Sequence, residues 1–425
     1  MTAGKILLVA YQCGPGMGSV SQIGWEWYAR LCANHAVTLV THVRNRSALE
    51  QAGAPVAGSE IIYIDTEWFA GPLYRLARHI FPRSEHSVFL VSSLDYFVFD
   101  FVAYRHLHGL MQSGASWSLL HRVTPVTLAA PTWLGRLALP TVIGPLNSGL
   151  TDPRGFGTIM KQESTWLIKV RALGHLLDAA LGSSRRAARI LTASRTTLKG
   201  VASRHHARCR MMLENGVDLS RFTATPWPSF PAADQPLRVL FVGRLIPIKG
   251  LDMLLQAIAR LRASSTFVHL DIVGDGPMRE AWTALRDELG LGDRVSFHGS
   301  LPLDEVAARM RDCHVFCLPS VRESGGAVLL EAMACARPVI ALDFGGPGEI
   351  VSDEVGALLP LISPEQVVGD LVVTLGDVLR QPRAWQRRGL AGRRLVEERY
   401  SWSAKITAAE DTYREILVER ALSCC

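Results

Sequence analysis

Cysteine is sparse in this chain: eight in 425 residues, at positions 13, 32, 209, 313, 317, 335, 424 and 425. That density excludes a disulfide-built secreted scaffold. Cys313 and Cys317 flank an apolar run and are expected to pack rather than to bind metal. Cys424-Cys425 does not form a C-a-a-X box, so a prenyl anchor is not expected there. Long apolar runs are missing too. No stretch reaches 18 apolar residues without a charge; the nearest, Val88 to Val102, contains Asp95 and Asp100. A membrane-spanning helix is therefore not expected. The opening run from Ile6 to Ala10 has the length of a strand and lacks a signal-peptide cleavage pattern. Clusters with metal-ligand spacing are also lacking, so neither a metal nor a cofactor is expected. The protein is expected to be cytoplasmic.

What is present describes a folded globular chain, 48% hydrophobic and 20% charged. Its length suits two domains. The net charge of +6 is uneven: residues 1–217 carry 22 Lys and Arg against 12 Asp and Glu, and residues 218–425 carry 23 against 27. A basic first half suits an anionic nucleotide or an anionic membrane surface, and equally a set of solvated arginines. Within it, 160–186 combines Trp166, Leu167 and Ile168 with Lys161, Lys169, Arg185 and Arg186. This pattern fits either peripheral membrane contact or a core-facing helix.

The order of elements points to α/β architecture. Strands are expected at 5–10, 36–41, 61–64, 117–121, 141–143 and 189–192, with helices near 20–34, 96–112 and 160–182. The Pro-rich stretch 223–236 reads as a linker. A second series follows, with strands at 237–242, 267–273, 294–297, 314–318 and 338–341. Alternation of strand and helix implies doubly wound parallel sheets, and ligands bind where the loops after the strands gather. The expected domains are 1–222, the linker 223–236, 237–398, and a C-terminal helix and tail over 399–425 that crosses back onto the first domain.

The loops of the second series carry the chemistry. Glu323-Ser-Gly-Gly-Ala-Val-Leu-Leu-Glu331 begins where Val315 to Leu318 ends at Pro319-Ser320. This places Gly325 and Gly326 at a helix N-terminus, which offers unsatisfied N–H groups and partial positive charge to a phosphate. Arg244 and Lys249, on the first loop, are suited to neutralising a diphosphate. Gly274-Asp-Gly-Pro277 is a tight turn, and Gly299 to Leu301 could offer backbone groups to a base edge. Glu331 could accept both hydroxyl hydrogens of a ribose. Taken singly, each is equally a surface charge, a tight turn or a helix-start acid.

Taken in order, these residues resemble glycosyltransferase family 4. The resemblance rests on Phe-Val-Gly-Arg-Leu with Lys249-Gly250, Val-Gly-Asp-Gly-Pro, Phe-His-Gly-Ser-Leu, and Pro-Ser followed by Glu-x7-Glu-Ala-Met-Ala, covering about 238–350. It implies the GT-B fold, in which two Rossmann-like domains face across a cleft. The implied activity is retaining, metal-independent transfer of a sugar from a nucleoside diphosphate to a hydroxyl acceptor, in polysaccharide or lipid-linked glycan assembly. A UDP-sugar is expected ahead of a GDP-sugar, and nucleic acid is not an expected partner. Residue by residue, Arg244 and Lys249 would hold the diphosphate and stabilise the leaving group. Gly325 and Gly326 would bind the donor through amides, Glu323 would grip sugar hydroxyls, and Glu331 would bind the ribose. In the first half, Gly16 and Gly18 would let the loop approach the donor, and His121 would sit beside the reacting sugar.

The chain departs from the family at three points. Ser324 stands where the family often has glycine, Ala336 where a turn glycine is usual, and no acid precedes the His121 strand near Ser116-Trp117. Ser324 leaves the donor sugar open. Competing readings are glycosylation of a small metabolite, a GT-B epimerase or phosphorylase, and a non-catalytic sugar-nucleotide scaffold. A nicotinamide oxidoreductase is disfavoured, because Gly14-Pro-Gly-Met-Gly18 lacks the dinucleotide spacing and no acid follows the second strand.

Overall fold

The computed structural model describes residues 4–81, 93–150, 153, 155–157, 177–230, 235–263 and 267–423. They form two units. One takes Met1–Gly149, Trp166–Glu214 and Lys405–Cys425; the other takes Leu150–Thr165 and Asn215–Ala404.

In the first unit, β1 (Ile6–Ala10), β2 (Val37–His42), β3 (Glu60–Ile64), β4 (Leu119–Thr124), β5 (Thr141–Leu146), β6 (Arg189–Thr192) and β7 (Cys209–Met211) form one sheet. Its order is β3-β2-β1-β4-β5-β6-β7, with every pairing parallel. The central strands are buried along their whole length, which is why they appear in the sequence as continuous apolar runs. The helix Ser19–Leu31 turns Ile23, Trp27 and Leu31 inward at four-residue spacing. The helix Trp402–Ser423 begins in the second unit and ends in the first, where Ala409, Tyr413 and Ile416 are buried.

The second unit holds β8 (Leu237–Val242), β9 (Val268–Val273), β10 (Val295–Phe297), β11 (Val315–Leu318), β12 (Val339–Leu342) and β13 (Gly356–Leu359). The order is β10-β9-β8-β11-β12-β13, again with every pairing parallel. Strand order reverses between β8 and β11, so the loops that follow these two strands lie side by side. This is the switch point at which open α/β sheets receive ligands.

β7 and β13 extend the strand set read from the sequence. The Pro-rich stretch is packed on the second unit where it is described. Trp227 is buried and its indole N–H donates to the His314 carbonyl at 2.8 Å. Arg337, fully buried, donates to Thr225 Oγ1 at 2.8 Å and to the Pro226 carbonyl at 3.1 Å. Most of 160–182, all of 231–234, and Cys424-Cys425 lie outside the described residues, and with them most of the sequence argument for membrane contact at 160–186.

Candidate functional site

The loop after β8 turns through Pro247–Lys249 and leaves at Gly250, whose φ is 62°. A Cβ at Gly250 would lie 2.3 Å from the Pro319 carbonyl oxygen, so only glycine admits the loop after β11 this closely. That contact is stitched by the Val321 N–H to the Ile248 carbonyl at 2.8 Å and by the Ser320 hydroxyl to the same oxygen at 3.2 Å. The two loops thereby bring Lys249 and Glu323 together. The Lys249 ammonium donates to the Glu323 carboxylate, with the two side chains 16% and 15% exposed. Each keeps a face toward solvent, and each retains hydrogen-bonding capacity that the pair does not use.

Glu323 is also held from behind. The Gly346 N–H donates to its carbonyl at 2.9 Å, and a Cβ at Gly345 would lie 2.1 Å from that oxygen. The loop after β12 therefore fixes the backbone of Glu323 while Lys249 aims its carboxylate. Immediately beyond, Gly325 and Gly326 are buried and Ser324 is exposed. Gly326, with φ 57°, caps the helix Ala327–Ala334. This cap has no side chain, so no capping side chain takes the first amides of the helix, which begins four residues after Glu323.

Glu331 lies on that helix. The residue is only partly enclosed, but its carboxyl is set in desolvating surroundings that raise its pKa to about 7, against a smaller opposing pull from Arg221. Arg244 is exposed on the loop after β8. The turn at Gly274 backs this loop: its Cβ position is 2.0 Å from the Gly243 carbonyl oxygen, and the Leu245 N–H donates to the Asp275 carbonyl at 2.9 Å. Gly299, expected to offer its backbone outward, gives its carbonyl to the Gly274 N–H at 2.8 Å. Leu301 beside it is half-buried. The second unit thus gathers cations, helix amides and carboxylates on successive loops of one sheet edge. Such a set suits a ligand with phosphate at one end and hydroxyls at the other. Gly250 and Ser320, which the sequence carried only as motif letters, and Gly345 and Gly346, which it did not single out, complete the set by holding the loops together.

In the first unit, Gly16 and Gly18 have φ of 74° and 102°, and nothing lies within 4 Å of their Cβ positions. Backbone conformation, rather than crowding inside the unit, accounts for glycine there. The loop is anchored where Thr124 Oγ1 accepts the Gln12 N–H and donates to the Gln12 carbonyl, both at 3.0 Å.

His121 is a correction. Its side chain is fully buried within β4, and both ring nitrogens are occupied. Because a carbonyl only accepts, Nε2–H donates to Gly144 at 2.7 Å, which leaves Nδ1 to accept from the Tyr413 hydroxyl at 2.6 Å. Burial lowers its pKa to about 4, with Arg122 adding to the effect and the Gly144 carbonyl opposing it. A neutral, doubly bonded imidazole in the core is placed to tie β4, β5 and the last helix together, not to touch a sugar.

The GDP-mannose-dependent alpha-(1-6)-phosphatidylinositol monomannoside mannosyltransferase of Mycolicibacterium smegmatis is 33% identical over 207 residues, which is 45% of this chain and 53% of that protein. The chain spans about half the length of the curated relatives it matches. Sucrose-phosphate synthase from Thermosynechococcus elongatus is similar with a TM-score of 0.65 at 20% identity, over 98% of this chain and 100% of that one. The Anabaena protein HepE, solved in complex with UDP, gives 0.63 at 16% identity, over 97% and 100%. At these identities the likeness is one of fold, and it is to GT-B proteins. Residues 228–374, which include every second-unit residue of the candidate site, match the family described as Glycosyl transferases group 1.

Proposed function

We propose that the protein is a retaining glycosyltransferase of family 4 that moves a sugar from a nucleoside diphosphate to a hydroxyl acceptor in polysaccharide or lipid-linked glycan assembly. The observation that carries this reading is the Lys249–Glu323 pair beside the glycine-capped helix Ala327–Ala334. Arg244, Lys249 and the amides of Gly325 and Gly326 hold the diphosphate and stabilise the charge that develops on it as the sugar departs. Glu323, its backbone clamped and its carboxylate aimed, accepts hydroxyl hydrogens of the sugar. Glu331 accepts those of the ribose. Ser324 stands exposed beside Glu323 and adds a hydroxyl to the sugar subsite. Fixed cations and helix amides neutralise the phosphates without a resident metal. The UDP complex of HepE supports a uridine donor, while the mannosyltransferase relative makes GDP-mannose the competing one.

The test is a panel of UDP- and GDP-sugars with glycan and lipid-linked acceptors, read as sugar mass gained by the acceptor. Lys249→Ala and Glu323→Ala are each expected to lower turnover by about a hundredfold or more, with unchanged thermal melting and no effect of EDTA on the wild type. Near-wild-type turnover in both variants would remove the proposed site. Hydrolysis or epimerisation without acceptor gain would replace the transfer reaction.

A further inference from the structure

The helix Glu67–Ile80 of the first unit buries Ala70 and Ala77 fully and Phe69 and Leu73 in part. Its outer side is apolar. Trp68, Leu76 and Ile80 are 68%, 54% and 55% exposed, and Pro72 is exposed between them. Spaced four residues apart, these side chains form one continuous row on the helix surface. A scattered exposed leucine needs no explanation, whereas an ordered row headed by a tryptophan marks a contact surface.

From Trp68 onward the charges on the helix are of one sign; Asp65 precedes it and accepts the Glu67 N–H at 2.9 Å. Arg75 and His79 are exposed at the flank of the row, and Arg78 lies further round, its guanidinium donating to the Tyr74 hydroxyl at 3.1 Å. From Trp68 to Phe81 there is no acid. The acid that starts the helix, Glu67, is engaged by Arg44 from the end of β2. A protein partner could bury the apolar row, but nothing in such a contact requires Arg75 and Arg78 beside it with no acid from Trp68 to Phe81. An anionic bilayer supplies both halves: acyl chains for the row, and lipid phosphates for the cations at its edge. Tryptophan and tyrosine also favour the headgroup level.

We infer that the helix Glu67–Ile80 is a peripheral membrane-docking element that lies flat on anionic bilayers, with Trp68, Pro72, Leu76 and Ile80 in the lipid and Arg75, Arg78 and His79 at the phosphates. The contact is peripheral because no described helix is long and apolar enough to cross a membrane. It is independent of the transfer reaction proposed above and places membrane contact on a different segment from 160–186.

The test is flotation of the full chain with phosphatidylcholine vesicles, with and without phosphatidylglycerol. Wild-type protein is expected to float with the anionic vesicles and to be released by salt. Trp68→Ser/Leu76→Ser and Arg75→Gln/Arg78→Gln are each expected to lose about tenfold in partition, with melting temperatures near wild type because the side chains are exposed. Brominated lipid should quench a fluorescence component that is missing in Trp68→Phe. Absence of wild-type flotation, or equal flotation of the double variants, overturns the proposal. Self-association of the wild type that Trp68→Ser/Leu76→Ser abolishes also overturns it, by assigning the row to a second copy of the chain.

Discussion

Glu331 holds its proton to about pH 7 because burial penalises its charge. The unfolded chain ionises near the ordinary carboxyl value, so the folded state loses stability as pH rises from about 4.5 to 7 and carries the full penalty above that. Glu331→Gln is therefore expected to stabilise the unliganded protein at pH 8 by about 2 kcal/mol, allowing for the part of the side chain that meets solvent. The gain should vanish by pH 4.5; equal denaturant midpoints at pH 8 would contradict it. A ribose whose hydroxyls donate to this group favours the carboxylate. Nucleotide binding should then release a proton near neutral pH, and affinity should rise from pH 5.5 to 8 in the wild type but stay flat in Glu331→Gln. Calorimetry in buffers of different ionisation enthalpy reads this directly. Residue types and spacing brought Glu323 and Lys249 into view, but not that they pair. The pairing follows from strand order, which sets β8 beside β11 although the two residues are 74 positions apart. His121 misled for the same reason. Its sequence neighbourhood resembles that of a site, and only the fold shows that Gly144 and Tyr413 have already taken its nitrogens.

At the scale of elements, the loops after β8, β11 and β12 behave as one assembly because glycine lets their backbones touch. Gly345→Ala would combine a positive φ of 70° with a Cβ 2.1 Å from the Glu323 carbonyl oxygen. It is expected to cost about 2 kcal/mol or more and, under the function proposed above, to lower sugar transfer by moving Glu323. Gly16→Ala, which meets nothing within 4 Å, should cost only the roughly 1–2 kcal/mol of its backbone conformation. Similar melting temperatures for the two variants would refute the crowding argument. Long apolar strands were legible from sequence because both faces of a parallel sheet are covered. Cys209–Met211 was not, since three partly exposed residues show neither a run nor alternation. The helix Glu67–Ile80 escaped notice because Gly71-Pro72 interrupts it and its apolar row faces outward.

At the scale of the whole molecule, burial lowers the pKa of His42, His121 and His205 in the first unit and of His314 in the second. His314 in the second repeats the arrangement of His121: Nδ1 accepts the Arg238 N–H at 2.9 Å and Nε2–H donates to the Ser229 carbonyl at 2.9 Å. Burial lowers both pKa values to about 4. Unfolded chains take up these protons below about pH 6.5 while the folded state does not. Both units should therefore lose stability as pH falls from 6.5 toward 4, by roughly 2 kcal/mol per histidine. In His314→Gln the acid loss measured by denaturant titration should shrink by about that amount; an unchanged acid slope would exclude His314 as a source.

The hydroxyl that completes His121 arrives 292 residues later, on a helix the second unit begins and the first unit ends. During synthesis the first unit therefore emerges first yet is completed last. Its sheet must wait, with a slot open beside β4, while the entire second unit is translated and folds. Nascent chains arrested before Lys405 should expose that slot to chaperones and proteases, although every strand of both sheets has already been made.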